Sequence, residues 1–303
     1  MRLRDQLVAG GFRLGWRFAR AVPEDVAVSA SRRVADAVAR RGGARTAQLR
    51  RNLAHARPDA GPAELDALVR DGLRSYARYW LDVFRLPGWS RERTVAGVRL
   101  DHGEEVRAAL AQGRGVVVFL GHLANWDHAA AWSATELAPV VTVAERLRPE
   151  AVFEQFLAFR RSLGVDVLPL GDPGTFPTLV RRVRAGAFVP LLADRDLTAN
   201  GVEVDFLGAR VRMAQGPAAL ALATGAPLFP FGLHHEVFGG RRTLVLDVAP
   251  QVPVPPRAPG EPAREHRRRA VAQMTQACAD ALAAAVRAHP DEWHVLQPVF
   301  PER

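Results

Sequence analysis

The sequence contains no lysine: its 41 basic side chains are all arginine, set against 32 acids for a net charge of +9. A GC-rich genome also produces that bias, so only part of the basicity describes partners. The excess still favours anionic ones such as phosphates, coenzyme A or acidic lipid head groups, and no nucleic acid partner is expected. Cysteine is nearly absent too. With Cys278 alone, an intrachain disulfide and any multi-cysteine metal site are excluded, and a reducing compartment is the simpler setting. No stretch approaches the roughly 20 apolar residues of a membrane span, and the N-terminus lacks the apolar core of a signal peptide. There is no internal repeat, and the only low-complexity tract is VPVPPRAPGEP from Val252 to Pro262.

What is present suits a folded chain with a sizeable core: 303 residues, 48% hydrophobic and 24% charged. Residues 1–20 place Leu7, Val8, Phe12, Leu14, Trp16 and Phe18 at near-helical spacing among five arginines. That pattern fits an amphipathic helix at an anionic bilayer surface or one packed on its own domain. Further helices are expected at 25–41 and 62–86, making residues 1–90 an N-terminal helical, membrane-proximal region. From there helices and strands alternate: helix 103–112, strand 115–120, helix 126–136, strand 139–144, helix 149–163, strand 165–169, helix 175–185, strand 187–193, helix 215–224 and strand 227–233. Strand 242–248 and helix 264–288 close the chain. This alternation predicts an α/β fold over 91–303, a single mixed sheet covered by helices on both faces.

Several strands are followed at once by polar groups: His122 after 116–120, Glu145 and Arg146 after 140–144, Asp194, Arg195 and Asp196 after 188–193. In open α/β sheets ligands bind at those strand ends. Within GHLANWD, residues 121–127, His122 precedes Asp127 by five positions, which on one continuous helix would turn them about 140° apart. They meet only if His122 lies in the loop after the strand and Asp127 in the first turn of the next helix, with Asn125 as its N-cap. Asp127 would then hold one ring nitrogen of His122 and leave the other as a general base. A capping aspartate beside a solvated histidine is the plainer alternative.

GHLANWD resembles the motif of the lysophospholipid and lipid A acyltransferase superfamily, and its Asn-Trp before the acid is the form of the lipid A lauroyl/myristoyl acyltransferase branch. SYARYW, FRLP, TVAERL, RSLGVDVLPL, ADRDLT, GVEVDFLG and WHVLQP, in that order, make the chain similar to phosphatidylinositol mannoside acyltransferases from about residue 10 onward. The resemblance implies transfer of a palmitoyl group from acyl-CoA to the 6-hydroxyl of a mannose on mannosylated phosphatidylinositol, at the cytoplasmic face of the cell membrane. It implies no cofactor, acyl-CoA being a co-substrate, and a peripheral enzyme on an anionic membrane surface. His122 would be the base and Asp127 its orienter, with no acyl-enzyme; the missing Gly-x-Ser-x-Gly elbow agrees with that. Asp194 matches a position where the family has a supporting glutamate, and an aspartate reaches less far. Asn125, Glu145, Arg146, Arg160, Arg195 and Asp196 fall in matching segments and would bind substrate. Arg148, Arg210 and Arg212 are candidates for coenzyme A phosphates, and Trp80, Phe84, Trp126 and Trp132 for an acyl groove. His234, His235 and Glu236 lack the spacing of a zinc site, so no metal is expected. Another lipid or alcohol acceptor, a noncatalytic lipid-binding relative and a hydrolase are the competing readings.

Overall fold

The computed structural model describes residues 20–146 and 150–301; the amphipathic segment expected at 1–20 and Arg148 lie outside those residues, apart from Arg20. Three helices come first: α1 (Glu24–Arg41), α2 (Ala44–Ala56) and α3 (Pro62–Arg85). In α3, Pro62 supplies a preformed φ at the first turn, and Val69, Gly72, Leu73, Tyr79 and Val83 follow helical spacing onto the buried face. Leu86-Pro87-Gly88 then tightens into a 3₁₀ turn and ends it. After α4 (Arg91–Ala96) the chain alternates: β1 (Val98–Asp101), α5 (Glu104–Ala111), β2 (Val116–Leu120), α6 (Trp126–Glu136), β3 (Val140–Ala144), α7 (Glu150–Ser162), β4 (Val165–Pro169), α8 (Thr175–Arg184) and β5 (Phe188–Leu192). The remainder is β6 (Val202–Phe206), β7 (Ala209–Met213), α9 (Gly216–Thr224), β8 (Leu228–Phe238), β9 (Arg241–Val248) and α10 (Ala263–Ala288).

Seven strands form one mixed sheet in the order β1-β9-β8-β2-β5-β3-β4, and β6-β7 is a separate hairpin. β8, β2, β5, β3 and β4 run parallel; β9 turns back antiparallel to β8 and carries β1 parallel to itself. The fold class is therefore the expected α/β one. The central strands are continuous apolar runs because both faces are covered: every residue of β2 is buried. Val118 and Leu120 face a narrow slot beneath α6, while Gly121, one residue on, faces Leu282 of α10. The helix and strand boundaries agree with expectation within one to two residues for most elements. α2, α4, β1 and the β6–β7 hairpin were not anticipated, and β8 runs on to Phe238.

No helix of the described residues is long and apolar enough to cross a membrane. Phe119, 1% exposed at the middle of β2, sits in the largest apolar cluster. Phe119→Ala should cost about 3–5 kcal/mol of unfolding free energy in urea titrations, the ordinary result of a large-to-small core change; a loss under about 1 kcal/mol would contradict this packing.

Candidate active site

β2 and β5 are hydrogen-bonded neighbours with Leu120 opposite Leu192. Two residues beyond that pair the chain places His122 and Asp194, so their meeting follows from sheet register. Adjacent strands stand only about 4.8 Å apart, and a side chain as short as aspartate spans the gap. Asp194 Oδ1 lies 2.6 Å from His122 Nδ1. Its Oδ2 accepts the His122 backbone N–H at 3.0 Å and the Trp293 indole N–H at 3.1 Å. Asp194 has no exposed surface. Burial pushes its carboxyl up, but the neighbouring His122 charge and these hydrogen bonds outweigh burial and hold it below the usual carboxylate range. A Cβ on residue 121 would come within 2.7 Å of Leu282 Cδ1, so glycine there lets the chain pass close under α10.

With Nδ1 committed to Asp194, Nε2 is the ring nitrogen left for chemistry. The His122 side chain is 24% exposed and lines a cavity of about 440 Å³ together with Tyr79, Trp80, Trp126, Glu145, Arg160 and Arg195. Phe153, Phe156, Leu157, Phe176 and Leu197 give that cavity an apolar wall. It adjoins the slot under α6, where Ala129, Ala130 and Ser133 face Val118, Pro190, Phe231 and Leu233; Trp126, Val143, Arg160 and Leu192 line both spaces. On another side Arg195 and Leu197 are shared with an open cleft of about 800 Å³ along the β6–β7 hairpin, which adds Arg210 and Arg212.

Asp127 does not hold His122. Asn125 caps α6 as expected, its Oδ1 accepting the His128 N–H at 2.9 Å. Trp126, the first helical residue, takes the place beside the histidine, its ring edge-on at 5.3 Å between centroids. Asp127 lies about 100° further round the helix and points to α3 and α7. There it is 2% exposed, and it accepts the Tyr79 hydroxyl at 2.8 Å and Arg160 Nε at 2.9 Å. Burial lowers the Arg160 pKa, but the Asp127 charge and hydrogen bond carry it above its ordinary value. Burial and then the same carboxylate push the Tyr79 phenol well up.

The other expected binding residues divide. Glu145, Arg160 and Arg195 line the cavity, and Arg195 Nε is buried with no hydrogen-bond partner. Arg146 does not line it: exposed, it pairs with Glu150, the first residue of α7. Asp196 is occupied in its own loop, accepting N–H groups of Thr198 and Gly201 at 2.9 and 2.7 Å. Of the aromatic candidates, Trp80 and Trp126 line the cavity, whereas Phe84 packs beside them and Trp132 is buried core. His234 stacks on His289 at 3.8 Å, and His235 Nδ1 lies 3.0 Å from Glu292 Oε1. Among the described residues no group of three His, Cys, Asp or Glu side chains is placed to hold a metal ion. Trp293 and Tyr79 are the contacts the sequence reading missed; Trp293 reaches Asp194 from 99 residues away, and no local spacing signals that.

Residues 11–301 match the family of bacterial lipid A biosynthesis acyltransferases. The chain is 40% identical over 300 residues to a phosphatidylinositol mannoside acyltransferase of Mycolicibacterium smegmatis, covering 98% of this chain and 92% of that protein. It is 42% identical over 293 residues to a phosphatidylinositol mannoside acyltransferase of Mycobacterium tuberculosis, covering 94% of this chain and 85% of that one.

Two buried imidazoles near the site set an acid limit on stability. Burial lowers His294 to about 3 and His128 to about 4, from an ordinary 6.5. The unfolded chain therefore takes these protons first. Their contribution to stability is whole above about pH 6.5, declines as pH falls, and levels off below about 4 for His128 and about 3 for His294, where the folded imidazoles are also charged. His128→Gln should reduce the slope of unfolding free energy against pH between 4 and 6.5 by up to about 1.4 kcal/mol per pH unit. An unchanged slope in urea titrations would show that His128 is not buried neutral.

Proposed function

The chain belongs to the family of bacterial lipid A biosynthesis acyltransferases, and from that membership we propose that it moves a long acyl group from acyl-CoA to a mannose hydroxyl of a phosphatidylinositol mannoside. The acceptor class comes from the names of its relatives. The observation that carries the chemistry is the 2.6 Å contact of His122 Nδ1 with a fully buried Asp194 at the edge of a partly apolar cavity. Asp194 fixes the tautomer with the proton on Nδ1. Nε2 then takes the proton of the sugar hydroxyl as its oxygen attacks the thioester carbon. The resulting tetrahedral intermediate collapses with loss of the coenzyme A thiolate, to which the imidazolium returns the proton. Asp194 steadies the transient imidazolium, and no acyl-enzyme is formed.

The substrates are apportioned by surface chemistry. The slot under α6 is narrow, about 40 Å³ and too small for a long alkyl chain, so the acyl group is assigned to the apolar wall of the 440 Å³ cavity formed by Phe153, Phe156, Leu157, Phe176 and Leu197. Palmitoyl is the proposed group. The arginines 195, 210 and 212 along the β6–β7 cleft suit the phosphates of the donor, and Glu145, exposed in the cavity wall, suits sugar hydroxyls, the 6-hydroxyl of mannose being the proposed nucleophile. Asp127 takes the structural part of this account, tying α6 to α3 and α7 and steadying Arg160.

Purified protein incubated with palmitoyl-CoA and phosphatidylinositol mannosides should yield the monoacylated glycolipid by mass spectrometry, and donors of graded length read the reach of the cavity beside His122. His122→Ala should lower turnover by about 10²- to 10⁴-fold, the usual worth of a positioned base, while acyl-CoA still binds. Free fatty acid as the sole product would make the protein a hydrolase. Undiminished transfer by the variant would remove His122 as the base.

We further propose a peripheral position on the cytoplasmic face of the cell membrane. Val26, Val34 and Val38 of α1 are 52%, 61% and 44% exposed along one flank, with Arg33 and Arg41 also exposed, an arrangement suited to the interfacial zone of an anionic bilayer. Co-sedimentation with vesicles should require anionic lipid and weaken several-fold between about 0.1 and 0.5 M salt. Equal binding to neutral vesicles would refute the electrostatic part.

A further inference from the structure

We propose that Trp293 is a positioning residue for the reaction just described: its indole N–H holds the Asp194 carboxylate in the orientation that grips His122, and the segment Glu292–His294 clamps the loop on which His122 stands. The inference rests on His122 being the base.

The clamp is a two-sided backbone contact. Leu123 and Trp293 form an antiparallel bridge, in which the Ala124 N–H donates to the Glu292 carbonyl and the His294 N–H to the His122 carbonyl, both at 2.8 Å. Ala124 sits at φ 48°, a left-handed conformation that an alanine keeps only where its surroundings over-determine it; the bond to Glu292 is one of those surroundings. The clamping segment is itself pinned. Glu292 Oε2 accepts the Ser75 hydroxyl of α3 at 2.7 Å, and its Oε1 lies 3.0 Å from His235 Nδ1 on β8. Trp293 is 1% exposed and held edge-on against Phe206 and Phe300, at 5.8 and 6.4 Å between centroids. The ring has no room to turn.

The polarity of the contact matters as much as its position. An indole N–H donates and never accepts, so it favours the ionised form of Asp194, whose Oδ2 it shares with the His122 backbone N–H. Without the indole, Oδ2 keeps one donor, and in a site with no access to solvent an under-satisfied carboxylate relieves itself by turning or by taking a proton. Either response loosens Nδ1, and with it the tautomer that leaves Nε2 free.

Trp293→Phe retains a packed ring and deletes the donor. The expected result is a fall in kcat of about 10- to 100-fold, the equivalent of one hydrogen bond to a charged acceptor, with KM for donor and acceptor unchanged; the melting temperature falls as well, because the smaller ring and the lost hydrogen bond both lie in the core. In the resting protein, the downfield proton NMR resonance of the His122 Nδ1–H should shift. Should the Phe variant fail to fold, 3-benzothienylalanine placed at 293, which keeps the indole shape and carries sulfur in place of N–H, makes the same test. An unchanged kcat with an unmoved resonance overturns the proposal, as does a kcat loss matched by a rise in KM with the resonance unmoved, which marks a packing role. If the wild-type protein transfers no acyl group, the functional reading fails while the resonance still decides whether Trp293 holds Asp194.

Discussion

A carboxylate with no exposed surface must be held by donors or it will not stay ionised, and the arrangement of this acyltransferase turns on how that demand is met at Asp194. Three donors reach it: the imidazole and backbone N–H of His122 and the indole of Trp293. Two of the three come from the neighbouring strand's exit and one from a segment far along the chain. Sheet order, the glycine at 121 and the bridge at Leu123 all serve to bring these groups within hydrogen-bond distance. Breaking one member of such a buried pair costs about 3–5 kcal/mol because the other is left charged and unpartnered.

The same accounting recurs around it. Asp127 is satisfied by Tyr79 and Arg160, Asp82 by Arg78 and Arg242, and Glu292 by Ser75 and His235. Each joins elements that apolar contact alone would leave free to slide: α6 to α3 and α7, α3 to the start of β9, the Glu292 turn to α3 and β8. Asp127 and Arg160 also line the slot under α6, whose remaining wall is mostly aliphatic and aromatic carbon. Arg195 has a buried Nε that no protein group satisfies, and it stands where the cavity meets the basic cleft.

The alternation of apolar runs and amphipathic segments made the sheet and its covering helices legible, because periodicity reports burial directly. What escaped was short or amphiphilic in the wrong measure. α2, ARTAQLRRNLAHA, carries three arginines and buries Gln48 and Asn52, so its pattern does not stand out. The β6–β7 hairpin alternates buried and exposed positions over only five residues per strand. At the site, the strand-end rule gathered His122, Glu145, Asp194 and Arg195 correctly. The close spacing of His122 and Asp127 suggested a contact that is not made: Trp126 faces the imidazole and Asp127 is a quarter-turn past it. Register across β2 and β5, which brings Asp194 to His122, depends on which strand lies next to which, and a linear pattern does not carry that.

His122 and Asp194 hang from β2 and β5, the two central strands, which pair with each other and are flanked on both outer sides by β8 and β3. Neither strand can fray from an edge, so nothing short of dismantling the whole sheet parts the two side chains. The rim is built differently: Phe176 and Leu197 stand exposed at the start of a helix and in a loop. Rigidity at the His122–Asp194 contact thus follows from the cooperativity of the whole sheet, and only the mouth of the cavity has side chains free to shift.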